Sequence, residues 1–235
     1  MSLKAILFDF NGVIINDEPI HEQLLSELLI SENLPPMEGD FKELCLGRSD
    51  RVSIRDLFAR RDRVLPEKDL DSLIQRKAQA YQTHLQTLEK IPSYPGLEDL
   101  IYKIRVAGLK MAVVSGALCS EIKLVLNRLN LAEYFSVIVA GDEIPTSKPE
   151  PDGYLLAVDR LKQVYPELNL APHNCLAIED TFAGIEAAQR AKIPVVGVAH
   201  TYPFHMLQRH ANWAVDYLWD VNLERVQQVY SESAA

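Results

Sequence analysis

Cysteine is scarce: Cys45, Cys119 and Cys175 are the only three in 235 residues. None of them forms a Cys-x-x-Cys pair, and an odd, unpatterned set offers neither a disulfide framework nor a zinc site; it suits a reducing cytoplasm. No run of about 18 apolar residues is present, so no membrane span is expected. The N-terminal Met1-Ser2-Leu3-Lys4 opens no signal-peptide core, and Asp9 breaks the short apolar run behind it. A cytoplasmic protein without a membrane partner is the expectation. Positive charge is also in deficit: 24 Lys and Arg stand against 33 Asp and Glu, a formal net charge of −9. That balance excludes a broad basic face for nucleic acid. It leaves room for a small anionic ligand, because a local cation cluster prevails within about one Debye length, roughly 8–10 Å. Internal repeats and low-complexity segments are missing too. What is present, 48% hydrophobic and 24% charged residues, is ordinary for a globular chain and excludes disorder as a global description. The length fits one large domain or a core carrying a smaller insert.

Residues 5–10 read as a short buried strand, an apolar run closed by an acid and followed by glycine. Residues 19–30 then read as a helix, with Asp17 available to cap it. From about 40 to 90 no convincing strand occurs. Helical patterns cover 50–61 and 66–88, with Pro66 suited to a first turn. After Tyr94-Pro95-Gly96 the pattern changes. Apolar runs at 110–115, 136–140, 175–178, 194–198 and 213–215 alternate with helical segments at 97–107, 119–130, 152–163, 182–191 and 222–230. Apolar strands without period-two polarity, alternating with helices, predict an α/β core with a parallel sheet covered on both faces. The expected core is 1–16 plus 93–235, with a helical insert at 17–92 and hinges near 16–17 and 92–96.

Ligands of such sheets sit beyond the carboxyl ends of the strands. The first strand is followed by Asp9-Phe10-Asn11-Gly12, and the second by Ser115-Gly116-Ala117. Lys148-Pro149 stands ahead of the helix at 152, and Glu179-Asp180-Thr181 follows the strand at 175. Singly, each has an ordinary role: Ser-Gly in a turn, Lys148 as a solvated loop lysine, Glu179-Asp180 as a cap of the helix at 182. Together they place carboxylates, a hydroxyl and a lysine at one sheet edge. Carboxylates hold a hard Mg²⁺ ion, another can attack phosphorus, and lysine, hydroxyl and backbone N–H groups neutralise phosphoryl oxygens. Phosphoryl transfer is the chemistry this set suits.

These segments resemble the four motifs of the haloacid dehalogenase-like hydrolases. Glu18-Pro19-Ile20-His21, Leu46-Gly47-Arg48-Ser49, Tyr94-Pro95-Gly96 and Glu179-Asp180-Thr181-Phe182-Ala183-Gly184 resemble the group with a helical cap after the first strand, which includes β-phosphoglucomutase and sugar-phosphate phosphatases. The resemblance implies a Rossmann-like core with an inserted α-helical cap. It implies Asp9 as the nucleophile that forms an aspartyl-phosphate. Mg²⁺ would be held by Asp9, the backbone carbonyl of Asn11 and Asp180, with Glu179 close by. Ser115 and the Gly116 N–H would hold the phosphoryl group, and Lys148 would neutralise it. His21, Arg48 and Lys77 would contact the substrate, a small phosphorylated metabolite; the Arg-Lys-Ala at 76–78 is a shorter match to the mutase. A monomer or weak dimer is expected.

One position departs from that pattern. The family's phosphatases and mutases carry a second aspartate two residues after the nucleophile, as proton donor to the leaving group. Here it is Asn11, whose carboxamide has no proton to exchange near neutral pH. Asn16 also stands where an aspartate is usual, followed by Asp17. Several readings stay open: a hydrolase, a mutase, a non-catalytic relative that binds a phosphorylated ligand, a substitution that traps a complex, or deamidation of the Asn-Gly pair to an acid.

Overall fold

The computed structural model describes residues 2–232. Six parallel strands form one sheet in the order β3-β2-β1-β4-β5-β6: β1 (Ala5–Phe8), β2 (Lys110–Val114), β3 (Val137–Val139), β4 (Cys175–Glu179), β5 (Val195–Val198) and β6 (Trp213–Val215). β1 is central, with Phe8 beside Val113 of β2 and Ile178 of β4. Its alternate residues serve opposite faces. Ile6 and Phe8 join one buried cluster with Val113 and Ile178. Ala5 and Leu7 join the other with Val114 and Ala177. Burial on both faces explains the uniformly apolar strands.

Between β1 and β2 the chain makes α1 (Glu18–Ser31), α2 (Asp40–Leu44), α3 (Asp50–Ala59), α4 (Glu67–Thr87) and α5 (Leu97–Val106). Helices α1 to α4 surround an apolar centre of their own that includes Leu28, Leu29, Ile54, Phe58 and Leu70. They form the helical cap. The chain enters and leaves it side by side: Asn16 N–H donates to Pro92 O at 2.7 Å, and Ile15 bridges Ser93. The remaining helices are α6 (Cys119–Arg128), α7 (Asp152–Val164), α8 (Phe182–Arg190), α9 (Phe204–Leu207) and α10 (Leu223–Glu232). Among the described residues no helix is long and apolar enough to cross a membrane.

Three local expectations are corrected. The strand expected over 5–10 stops at Phe8, so Asp9 and Phe10 lie beyond the ladder. Pro66 precedes α4, with an extended ψ of 147°, and does not sit in its first turn. Asp17 occupies the N-cap position of α1 but makes no capping bond, because buried partners claim its carboxylate. Helices α2 and α9 escaped the pattern; at five and four residues they are too short to show a period of 3.6.

Candidate active site

Asp9 is set by the strand it follows. Its N–H donates to Ile178 O at 2.9 Å, which holds it beside the end of β4, where Glu179 and Asp180 stand. One carboxylate oxygen from each of Asp9, Glu179 and Asp180 lies within 4.8 Å of the others. Lys148 Nζ sits between two of them, 2.7 Å from Asp9 Oδ1 and 2.7 Å from Glu179 Oε1. Tyr154 of α7 donates its hydroxyl to the same Glu179 oxygen at 2.5 Å. The Glu179 carboxylate rests on Gly184 of α8, where a Cβ would come within 1.9 Å of Oε2. Thr181, not the two acids, caps α8, accepting from Gly184 N–H at 3.2 Å.

Two oxygens of this cluster, Glu179 Oε2 and Asp180 Oδ1, are buried without a hydrogen-bond partner. Unpaired buried acceptors are costly, and a hard divalent cation is the kind of partner such oxygens could take. Burial and the adjacent Asp9 charge push the Glu179 carboxyl up to about 8, against the pull of Lys148. Burial, with Asp9, Glu18 and Glu179 nearby, also raises Asp180 well above the usual carboxylate range. For Lys148 burial works downward, but Asp9 and Glu179 outweigh it and hold the ammonium charged.

Ser115 follows β2, its N–H bonded to Val139 O at 3.0 Å. Its Oγ accepts from Ala117 N–H at 3.0 Å and faces Asn11 Oδ1 at 3.5 Å. Gly116 lets the cap approach: a Cβ there would lie 2.8 Å from the Arg48 backbone and 2.9 Å from Ser49 N. Gly47, at φ +72°, likewise passes close to Thr181. Residues 46–49 of the cap are thus seated on the core between Gly116 and Thr181. Ser49 N–H donates to Ser147 Oγ at 2.8 Å, next to Lys148.

Beneath that loop lies a cavity of about 50 Å³, walled by Asp9, Asn11, His21, Arg48, Lys77 and Gly116 among others. Ser115 and Lys148 line a smaller one adjoining Gly116. The cap cations are already engaged. Lys77 Nζ, buried, lies 2.7 Å from both Asp50 oxygens. Arg48 pairs with Asp56 at 3.0 Å across a half-exposed surface. Asn11 Nδ2 donates to both oxygens of Asp17 at 3.0 Å. His21 Nε2 is 3.1 Å from Asn11 Nδ2 and 3.2 Å from Asp17 Oδ2, and the Tyr81 hydroxyl donates to Asp17 as well. Burial would raise the Asp17 carboxyl, but His21, Tyr81 and Asn11 together hold it below its ordinary value.

The chain matches the haloacid dehalogenase-like hydrolases over residues 6–198. It belongs to that family. A phosphorylated carbohydrates phosphatase of Thermotoga maritima is 28% identical over 201 residues, covering 85% of this chain and 87% of that protein. A β-phosphoglucomutase of Bacillus subtilis is also 28% identical, over 204 residues, covering 86% and 85%. In fold, a β-phosphoglucomutase from Clostridium difficile superimposes with a TM-score of 0.82 at 23% identity, over 99% of both chains.

Within this haloacid dehalogenase-like hydrolase, the geometry adds residues to those found by sequence reasoning. Tyr154 binds Glu179 from a helix whose periodicity marks it only as core. Tyr81 lies one turn after Lys77 on α4, a spacing that puts both on one helix face. Thr201 has its hydroxyl 2.6 Å from Glu18 Oε1 and also in contact with Asp180 Oδ2, with one hydrogen to serve either carboxyl. It follows β5, so searching beyond every strand end would have reached it.

Proposed function

We propose that this hydrolase is a Mg²⁺-dependent phosphatase of a small phosphorylated metabolite, working through an aspartyl-phosphate on Asp9. What carries the reading is the Asp9–Lys148–Glu179–Asp180 cluster, with its two unpaired oxygens, which reaches a small cavity through Asp9. The Asp9 carboxylate attacks phosphorus and the ester oxygen leaves with its electron pair. Water then attacks the acyl phosphate and releases inorganic phosphate. Lys148 balances Asp9 and the transferred group, while Ser115 Oγ and the Gly116 N–H orient its oxygens. Mg²⁺, held by Asp9, the Asn11 carbonyl and Asp180 with Glu179 near, would neutralise phosphoryl charge when bound. The seated loop at 46–49 covers one side of the cavity and would limit its access to bulk water.

A sugar-phosphate mutase must also hold the far phosphate of a bisphosphate. With Lys77 paired to Asp50 and Arg48 to Asp56, this wall has no uncommitted Lys or Arg among the described residues, which supports hydrolysis. Asn11 favours a second reading, a binding protein with impaired turnover. Incubation with Mg²⁺ and a panel of phosphorylated metabolites separates the three. Released phosphate supports the phosphatase, an isomerised sugar phosphate the mutase, and saturable binding without turnover the impaired protein.

The metal half of the proposal has a pH signature. Glu179 is raised from 4.5 to about 8 by burial and by Asp9. The folded state therefore binds more protons than the unfolded state between those values. This contribution to stability is full below about pH 4.5 and is lost as pH rises through about 8. Thermal melts with EDTA should show it as a decline over that window relative to melts with Mg²⁺. Parallel curves with and without Mg²⁺ would remove Glu179 from the metal site.

A further inference from the structure

We propose that Thr201, backed by Glu18, is the positioning element that turns one oxygen of Asp180 towards the cation site. The inference rests on the metal-dependent reading above. Asp180 divides its carboxylate in two: Oδ2 contacts the Thr201 hydroxyl, and Oδ1 is buried without a partner. Tying one oxygen fixes the rotation of the carboxylate, and with it the direction in which the other presents its lone pairs.

The holder is itself held. Thr201 lies just beyond β5, the strand paired with β4, and a β-branched side chain is stiff at χ1. Its neighbour His200 bonds to Gly12 O through Nδ1 at 2.7 Å. The His200 ring stacks on Tyr94 with centroids 3.7 Å apart and planes 3° from parallel. Beside Asp180, Glu18 Oε1 lies 2.6 Å from the Thr201 hydroxyl, and Glu18 Oε2 lies 3.5 Å from the Tyr94 hydroxyl. Glu18 begins α1, so the arrangement joins the first turn of the cap to a core carboxylate.

Gly12 makes the space. At φ +80°, a Cβ there would fall 1.9 Å from Asp180 Oδ2 and 2.8 Å from Glu18 Oε1. Glu18 does not belong to the three-acid cluster of Asp9, Glu179 and Asp180 found among the described residues. It acts behind a ligand, not as one. Partners that orient metal ligands in this way typically contribute about 10–100-fold in metal affinity.

The test is Mg²⁺ titration by calorimetry on the full chain, beside thermal melts in EDTA. Thr201→Val removes the hydroxyl at nearly constant shape, and Thr201→Ser retains it. Valine is expected to weaken Mg²⁺ binding about 10–100-fold, serine to restore it, and turnover of the valine variant to recover at high Mg²⁺. Glu18→Ala, which leaves the β5 loop unaltered, should weaken binding in the same direction and carries the test should Thr201→Val not fold. Wild-type Mg²⁺ affinity in the valine or alanine variant, with only the metal-free melting temperature lowered, overturns the inference and leaves a purely structural tie. Absence of Mg²⁺ binding in the unsubstituted protein overturns the metal-dependent reading, and this inference with it.

Discussion

Asn11→Asp should raise turnover of alkyl phosphates by about 10²–10⁴-fold and change turnover of nitrophenyl phosphates far less. An alkoxide leaving group needs a proton as its bond to phosphorus breaks; a nitrophenolate hardly does. General acid assistance is typically of that size, about 3–5 kcal/mol at 1.36 kcal/mol per tenfold. The site explains why an aspartate here would carry a proton. Asn11 Nδ2 lies 3.0 Å from both oxygens of the fully buried Asp17. A carboxylate in its place would meet a like charge at hydrogen-bond distance, and such pairs retain one proton between them. The check is a leaving-group series for both proteins, after mass spectrometry has shown residue 11 to be intact asparagine. Equal sensitivity to leaving-group pKa would mean that Asp17 or His21 already supplies the proton.

Lys148→Met should cost about 3–5 kcal/mol of stability near neutral pH without metal. That corresponds to roughly 6–20 °C in melting temperature for a chain of this size. The ammonium sits between two buried carboxyl groups, 2.7 Å from each, and its removal leaves the buried Asp9 without a cation beside Glu179, whose carboxyl is raised to about 8. Because those partners raise the pKa of Lys148, its own contribution is complete below about pH 10.5. It fades only as pH rises through the higher folded value. The deficit of the variant should therefore grow as pH rises through about 8, where Glu179 loses its proton beside the ammonium. Thermal melts across pH in EDTA check both the size and the direction. A loss under about 1 kcal/mol, the scale of a surface pair, would show that the ammonium does not offset a buried charge. Turnover should fall as well, by about 10²–10³-fold, as expected when a donor to the transferring phosphoryl group is lost.

Much of this site was legible because a parallel sheet gathers its strand ends. Asp9, Ser115 and Glu179-Asp180 follow or end three neighbouring strands, so locating the strands located the residues. Lys148 was legible from its motif with Pro149. The residues that support them were not. Tyr154 and Tyr81 sit on amphipathic helices, where an aromatic residue reads as core and its hydroxyl carries no sequence signal. Asp17 read as a helix cap because local capping is the common use of an aspartate there. Its actual partners lie on the loop after β1, one turn along α1, and on α4. Lys77 and Arg48 read as substrate contacts, and both do face the cavity. Their pairing with Asp50 and Asp56 depends on how α3 packs within the cap. Gly116 and Gly47 mark close approaches between cap and core, which no local pattern announces.

In the proposed reaction Asp9 is a covalent nucleophile. Rapid acid quench during turnover of an aryl phosphate with Mg²⁺, followed by peptide mass spectrometry, tests it most directly. The expected result is one added phosphoryl group on the peptide carrying Asp9, absent from an Asp9→Asn variant that also releases no phosphate. Phosphate release with Asp9 unmodified, or sustained turnover by Asp9→Asn, would contradict it.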